Sequence, residues 1–284
     1  YFPSVSAGWN VHQEKWFQNP VMSKLKIRAS YGELGANFLN PYNFDAIAYG
    51  PIPYTVGGER YVTGRAAYLK SKDLKWETAK TTDIGIELGF FNNDLTLSLD
   101  YFVKKNVDLL AQIDLNLSSG QIFEINSSRE KPYVNTASVK NTGWEFMMNY
   151  RKQLTKDFHI DATFNIATLK NKVLSLGENV QPITSGAMSS YFNDAASITM
   201  PGEAIGSFYG YKIDGFDAEG NFIFADTDKN GVVNANDKVI LGSPIPDFTY
   251  GLNINMEYKD FDLTVFFQGV QGNDIFNQKK YTYY

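Results

Sequence analysis

A strict alternation of apolar and polar residues runs through residues 83–103. In its first half, isoleucine, leucine and phenylalanine alternate with aspartate, glycine and glutamate, and a Phe-Asn-Asn-Asp turn at 91–94 separates it from a second half of the same kind. A period of two indicates β-strands, and two such runs around an Asn-rich turn predict a hairpin. The apolar side of this hairpin must face either a protein core or lipid.

The same alternation recurs along the whole chain and predicts about eight strands. The further alternating segments are 4–9, 24–31, 143–150, 158–166, 248–258 and 261–268. The predicted connections alternate between short and long. The short ones are 91–94, 151–157 and 259–260, and the long ones are roughly 36–80, 104–138 and 169–246. Short turns at one end and long loops at the other are typical of outer-membrane barrels and uncommon in soluble sandwiches.

The two faces of the predicted strands favour lipid over a protein core. The second face consists mostly of glycine, serine, threonine, asparagine and aspartate, which suits a hydrated lumen. Aromatic residues make up 15% of the chain and gather near strand ends, as in the interfacial girdles of membrane barrels. The sequence therefore predicts an all-β fold, an antiparallel up-and-down transmembrane β-barrel segment with long extracellular loops. An aromatic-rich soluble β-domain is the alternative.

Composition excludes several other classes. A net charge of −5 with scattered basic residues argues against a nucleic-acid surface, and the absence of cysteine excludes disulfides and thiolate metal sites. No apolar run approaches the ~18 residues of a transmembrane helix. The chain opens in a predicted strand without an initiator methionine, and we expect it to be a fragment of a longer protein.

Several motifs carry a family resemblance. Residues 2–9 (FPSVSAGW) and 25–32 (LKIRASYG) resemble the mid-barrel signature of SusC/RagA-type TonB-linked outer-membrane proteins of Bacteroidetes. Further matching segments follow in the order that this family uses. They are 74–87, 141–145, 201–211 and 242–252.

The resemblance implies a barrel of 22 strands with an N-terminal plug, in the outer membrane of a Gram-negative bacterium. It implies a SusD/RagB-like surface lipoprotein as partner, coupling to TonB through the plug, contact with outer-membrane lipid, and import of oligosaccharides or oligopeptides. On this interpretation, residues 1–284 are part of one barrel domain that lacks the plug, and 169–246 form a long extracellular loop region.

One segment of that loop region fits a calcium-binding pattern. Residues 226–237 (DTDKNGVVNAND) match the spacing D-x-[DN]-x-[DN]-G, in which oxygen ligands surround a cation and glycine permits the sharp turn. The alternative is an Asx-rich turn that caps its own backbone. The predicted Ca²⁺ ligands are Asp226, Asp228, Asn230, the Val232 carbonyl, Asn234 and Asp237.

Aromatic residues in the predicted loops are candidates for substrate contact, because their rings stack on sugars and pack against peptide side chains. Packing within the loops is the explanation that the sequence favours. The candidates are Tyr42, Tyr54, Tyr191, Tyr209 and Tyr211.

The sequence predicts a passive transport wall and no enzyme. Its two histidines, His12 and His159, are far apart in sequence, and no Gly-x-Ser-x-Gly elbow is present. Two alternatives come from other classes: a secreted, calcium-binding β-sandwich that binds carbohydrate, and a small self-contained barrel enzyme. The first would have connections not sorted by length, and the second would have a clustered nucleophile and base.

Overall fold

The computed structural model describes residues 1–38, 48–66, 74–112, 133–177, 180–187, 195–277 and 279, and these are almost entirely β-strand. Among them, no helix combines the length and the hydropathy needed to span a membrane. The strands are β1 Ser4–Asn10, β2 Met22–Ala36, β3 Ala48–Val56, β4 Glu59–Ala66, β5 Glu77–Phe90, β6 Leu95–Gln112, β7 Tyr133–Thr155, β8 Phe158–Thr168, β9 Lys170–Ser175, β10 Ile183–Ala187, β11 Ala195–Thr199, β12 Ser207–Tyr211, β13 Ile213–Phe216, β14 Phe222–Phe224, β15 Lys238–Gly242, β16 Phe248–Tyr258 and β17 Phe261–Gln271.

Eight of these strands form one continuous antiparallel wall in the order β1-β2-β5-β6-β7-β8-β16-β17. They correspond to the eight alternating segments of the sequence, and the predicted fold class is confirmed. The short strand β9 continues the line of β8 and pairs with the outer part of β7. Sequential neighbours pair throughout, which is the up-and-down connectivity of a barrel wall. Among the residues described, the wall is an open arc with β1 and β17 at its edges.

Short turns lie at one end of this wall and long connections at the other. Four residues join β5 to β6, and two residues join β7 to β8 and β16 to β17. The opposite end carries the connections β2–β5, β6–β7 and β8–β16. Residues 169–246, which the sequence predicts as a loop region, contain the seven short strands β9–β15. Of these, β10, β11, β12 and β15 form a separate four-stranded sheet, and β13 and β14 form a hairpin.

The pairing register places most of the apolar positions of the wall on one face, and the exceptions on the other face are Phe102, Met147 and Phe266. One cross-strand row consists of Leu25, Leu88, Leu97, Met148, Phe164, Leu252 and Phe267. The adjacent row on the opposite face contains Gly89, Thr96, Asn149, Thr163 and Asn253. No second protein layer covers the apolar face among the described residues, since Ile84 is 54% and Leu99 is 39% exposed. We call these faces the lipid face and the lumen face.

Strand β7 reverses its polarity near Trp144. From Trp144 towards the short turn, the lipid face is apolar, and about eleven residues cover the distance, which matches the 9–11 residues of a membrane-spanning strand. Beyond Trp144, towards the long loops, the buried side chains lie on the lumen face instead. Val139 and Val173 of β9, on the lumen face, are 4% and 0% exposed and belong to a small buried cluster. The same outer face that carries Trp144 carries Lys140 there. This reversal marks where the wall leaves the hydrocarbon.

Candidate functional site

Ion pairs link neighbouring strands on the lumen face. Glu87 of β5 lies 2.6 Å from Lys24 Nζ and 3.7 Å from Arg28 Nε, both on β2. Arg28 reaches across β5 to Asp100 of β6, where its Nη2 donates to the carboxylate at 2.7 Å, and Ser98 donates to the same carboxylate at 2.8 Å. Gly85 lies between the paired side chains and leaves them room to meet. Three basic side chains of β2 thus share two carboxylates on β5 and β6.

A second polar cluster lines the lumen face at β7 and β8. The Arg151 guanidinium donates to Asp161 at 2.6 and 2.8 Å, and Asn149 donates to the other oxygen of Asp161 at 2.9 Å. With the Arg28 network, it gives the lumen face a charged surface on which ion pairs join neighbouring strands. Such a surface suits contact with water and polar solutes.

A cleft of about 570 Å³ lies where β6, β7 and β8 meet the segment that leads into β16. Tyr101 and Trp144 line it, with ring centroids 4.8 Å apart, and so do Thr168 and Lys170. These four side chains belong to the lipid face and its outward continuation. The cleft therefore lies at the aromatic boundary of the wall.

Three of the six predicted calcium ligands converge in the loop between β14 and β15. Asp226, Asp228 and Asp237 each offer a carboxylate oxygen, and these atoms all lie within 4.8 Å of one another. This separation is about twice a Ca²⁺–oxygen distance, so the donors fit the size and hardness of that cation. Gly231 has φ +88°, which permits the turn that folds the loop back on itself.

Hydrogen bonds within the loop hold these carboxylates in place. Asp226 accepts from the N–H groups of Asn230 and Gly231, and buried Asp237 accepts from those of Thr227 and Asn234. The Asn234 amide and other backbone N–H groups thereby lower the pKa of the Asp237 carboxyl, against the effect of its burial. The carboxyl is therefore ionised at neutral pH.

The other three predicted ligands make hydrogen bonds within the loop. The Asn230 side-chain oxygen accepts from the Val232 N–H at 2.9 Å. The Val232 carbonyl accepts from the Asn234 side chain at 3.1 Å, and the Asn234 oxygen accepts from the Asn236 N–H at 2.9 Å. The arrangement contains both a carboxylate cluster and the self-capping turn that the sequence offers as the alternative.

The predicted substrate-contacting tyrosines have different positions. Tyr42 and Tyr191 lie outside the described residues, and Tyr54 is on β3, where only the backbone is described. Tyr209 and Tyr211 are on β12, both half-buried. The Tyr211 ring lies 5.5 Å from that of Phe224, and Lys238 Nζ lies 5.2 Å from its centre. Tyr211 is therefore engaged by its own loop region.

An antiparallel wall with one apolar face, one polar face and end-sorted connections defines a barrel of the outer-membrane type. A family model for the TonB dependent receptor-like β-barrel matches residues 1–284. The chain belongs to this family, whose members are outer-membrane barrels of Gram-negative bacteria.

Several curated relatives match almost the whole chain. TonB-dependent receptor P3 of Formosa agariphila is 35% identical over 98% of this chain and 28% of its own length. TonB-dependent receptor SusC of Bacteroides thetaiotaomicron is 30% identical over 97% of this chain and 28% of its own length. The chain thus spans a little over a quarter of these relatives.

Solved structures show the same fold. The RagAB peptide importer in its open-open state superposes with a TM-score of 0.77 at 22% identity, covering 96% of this chain and 28% of the other. A further RagAB peptide transporter structure gives a TM-score of 0.73. At this identity the likeness concerns the fold, and it supports the wall architecture described above.

Proposed function

We propose that this chain is the wall of an outer-membrane importer that takes up oligosaccharides or oligopeptides with energy from TonB. The observation that carries the proposal is the match of the whole chain to the TonB-dependent receptor barrel, with a polar, ion-paired lumen face behind a lipid face. The named relatives are receptors, and their names describe no enzyme. The role of this wall is to enclose a hydrated passage and to carry the loops.

A SusD/RagB-like surface lipoprotein is part of this proposal. The similarity to SusC and to structures of the RagAB importer supports it. In the described residues, the long connections and the separate sheet β10-β11-β12-β15 lie beyond one end of the wall, where a lid protein has surface to contact.

Deletion of the gene should abolish uptake of one class of oligomer and leave uptake of its monomers unchanged. A barrel importer moves intact oligomers, whereas monomers have other routes. Fluorescently labelled oligosaccharides and oligopeptides would be supplied separately to deletion and complemented cells, and the tagged receptor would be purified from the membrane. Unchanged uptake of both oligomers contradicts import, and the absence of a co-purifying lipoprotein contradicts the partner.

We also propose that the loop 226–237 binds Ca²⁺. The support is the convergence of Asp226, Asp228 and Asp237 within 4.8 Å at the predicted spacing. Bound calcium would hold β14 and β15 together at the base of this loop and so order the adjoining surface. The shorter Asp237 in the position usually occupied by glutamate suits an extracellular site, where calcium is millimolar and a weak site is filled.

Calorimetry with CaCl₂ should detect binding to the intact receptor and no binding after Asp226→Asn with Asp228→Asn. The exchange removes two of three carboxylates while keeping their size. The control, Asp214→Asn with Glu219→Gln, removes two exposed carboxylates of the neighbouring β13–β14 hairpin and should bind normally. Equal heats in both double variants would refute the site.

A further inference from the structure

A row of lysines crosses the outer face of the wall. In the pairing register, Glu33 of β2 lies opposite Lys80 of β5, and Lys80 lies opposite Lys105 of β6. Lys105 in turn lies opposite Lys140 of β7, and Lys140 lies opposite Lys172 of β9. Directly opposed residues of antiparallel strands project from the same face. Four adjacent strands therefore present lysine at one level, and we call Lys80, Lys105, Lys140 and Lys172 the lysine row.

The row lies just outside the aromatic boundary of the lipid face. Lys140 is four residues from Trp144 along β7, and Lys105 is four residues from Tyr101 along β6, which corresponds to about 13 Å along a strand. Lys170, at the cleft, lies between the two levels on the same face. Since lysine stems reach several ångströms along an apolar surface, these ammonium groups fall in the headgroup zone.

The lysine row is short of negative charge. Lys80 pairs with Glu33 at 3.3 Å, but Lys105, Lys140 and Lys172 have no carboxylate within salt-bridge distance among the described residues. Like charges directly opposed across strands destabilise a sheet unless an anion lies between them. At the short-turn end, the outward-facing Lys152 is paired with Asp94 at 2.8 Å. Exposed Lys15, Lys156 and Lys259 at the short-turn end also lack a carboxylate within salt-bridge distance among the described residues, but they lie in separate turns and do not form a cross-strand row.

We propose that the lysine row binds phosphate groups of lipid headgroups in the outer leaflet. Three unneutralised ammonium groups at the headgroup level, above a Tyr101–Trp144 pair that rests against acyl chains, match an anionic head on an apolar tail. The inference rests on the outer-membrane location of the proposed importer. It adds a lipid site on the outside of the wall, separate from the passage and from the calcium loop.

Native mass spectrometry of the intact, detergent-solubilised receptor titrated with monophosphoryl lipid A tests this site. The variant Lys105→Gln, Lys140→Gln, Lys172→Gln should bind roughly 100-fold more weakly, at about fivefold for each lysine near a membrane surface. The same three positions changed to arginine keep the charge and should retain binding. The control Lys15→Gln, Lys104→Gln, Lys156→Gln has the same change in net charge. Its Lys104 lies on the lumen face beside Lys105, and its other two lysines lie at the short-turn end of the wall. This control variant should bind the lipid like the unmodified receptor.

Three results would overturn the proposal. One is equal affinity of the row variant and the control variant. Another is equal binding of the lipid after removal of its phosphate. The third is displacement by inorganic phosphate at the concentration at which phosphate alone binds, which would indicate a site for free phosphate. Uptake of labelled oligomers by the same proteins separates this site from import. An unmodified receptor that imports oligomers but does not bind the lipid would contradict this inference and leave the import proposal standing.

Discussion

Replacement of Met148 by arginine is expected to destabilise the barrel by about 2–4 kcal/mol, whereas the same replacement at Met147 should change its stability by roughly 0.5 kcal/mol or less. The two methionines are neighbours on β7 but point to opposite faces. Met148 lies between Leu97 and Phe164 in a lipid-face row, and Met147 lies between Ser98 and Asn165 on the lumen face. An arginine at position 148 would enter hydrocarbon, and one at position 147 would meet a polar surface.

Equilibrium urea unfolding of the receptor in phosphatidylcholine vesicles measures both variants. Since the residue removed and the residue introduced are identical, the difference between the variants reports the environment of each face alone. Equal losses of stability at the two positions would mean that the apolar face does not contact lipid. The assignment of the two faces, and with it the transport proposal, would then fail.

Replacement of Gly143 by alanine is expected to destabilise the barrel by about 1–3 kcal/mol. Gly143 is buried on β7, and an added Cβ would overlap the backbone carbonyl oxygen of Thr168 and lie 2.8 Å from the Phe102 ring. A backbone atom cannot move aside as the end of a flexible side chain can, so β7 and the β8–β9 junction would have to separate.

The matched control for Gly143→Ala is Gly32→Ala on β2. There an added Cβ would lie 3.5 Å from the Cβ of Ser4, which is an ordinary contact. The same unfolding measurement should therefore give a change of roughly 0.5 kcal/mol or less for this variant. A Gly143→Ala protein as stable as the Gly32→Ala protein would show that the strands do not approach as closely as described.

The wall was predictable from sequence because its period is local. In residues 83–103, the polarity of each side chain indicates which face of the strand it occupies, and the Asn-rich turn indicates where the hairpin reverses. As predicted, β5 and β6 pair on either side of that turn. The Asp226–Asp237 pattern was recognisable for the same reason, since twelve consecutive residues contain all the donors.

The outward extensions of the strands were not predictable from that signal. Strand β6 continues to Gln112 and β7 begins at Tyr133, although the sequence assigns 104–138 to a connection. Outside the membrane, the side chains on the lumen face become the buried ones. The apolar positions therefore move from one face of the strand to the other, and the alternation of apolar and polar residues becomes weaker. A search for apolar residues on a constant face therefore stops too early.

The side-chain partners across neighbouring strands could not be predicted from the sequence either. Arg28 and Asp100 are separated by 72 positions, and their ion pair depends on the register of two strand pairs. The lysine row depends on the register of three strand pairs. Isolated lysines at 80, 105, 140 and 172 resemble ordinary solvated charges until the pairing aligns them. Because each register is set by turns and packing together, no single segment encodes it.

The polarity reversal of β7 at Trp144 has a consequence for how the protein sits in its membrane. If the wall shifted inwards along the membrane normal by two residues, Lys170 would approach the hydrocarbon core. If it shifted outwards by two residues, Trp144 would leave the membrane interface for water. Either displacement raises the free energy, so these residues fix the depth at which the wall is inserted in the membrane. The loops that start beyond Lys172 consequently begin at a fixed height above the membrane surface. A protein that binds these loops therefore meets a surface whose position relative to the bilayer is constant.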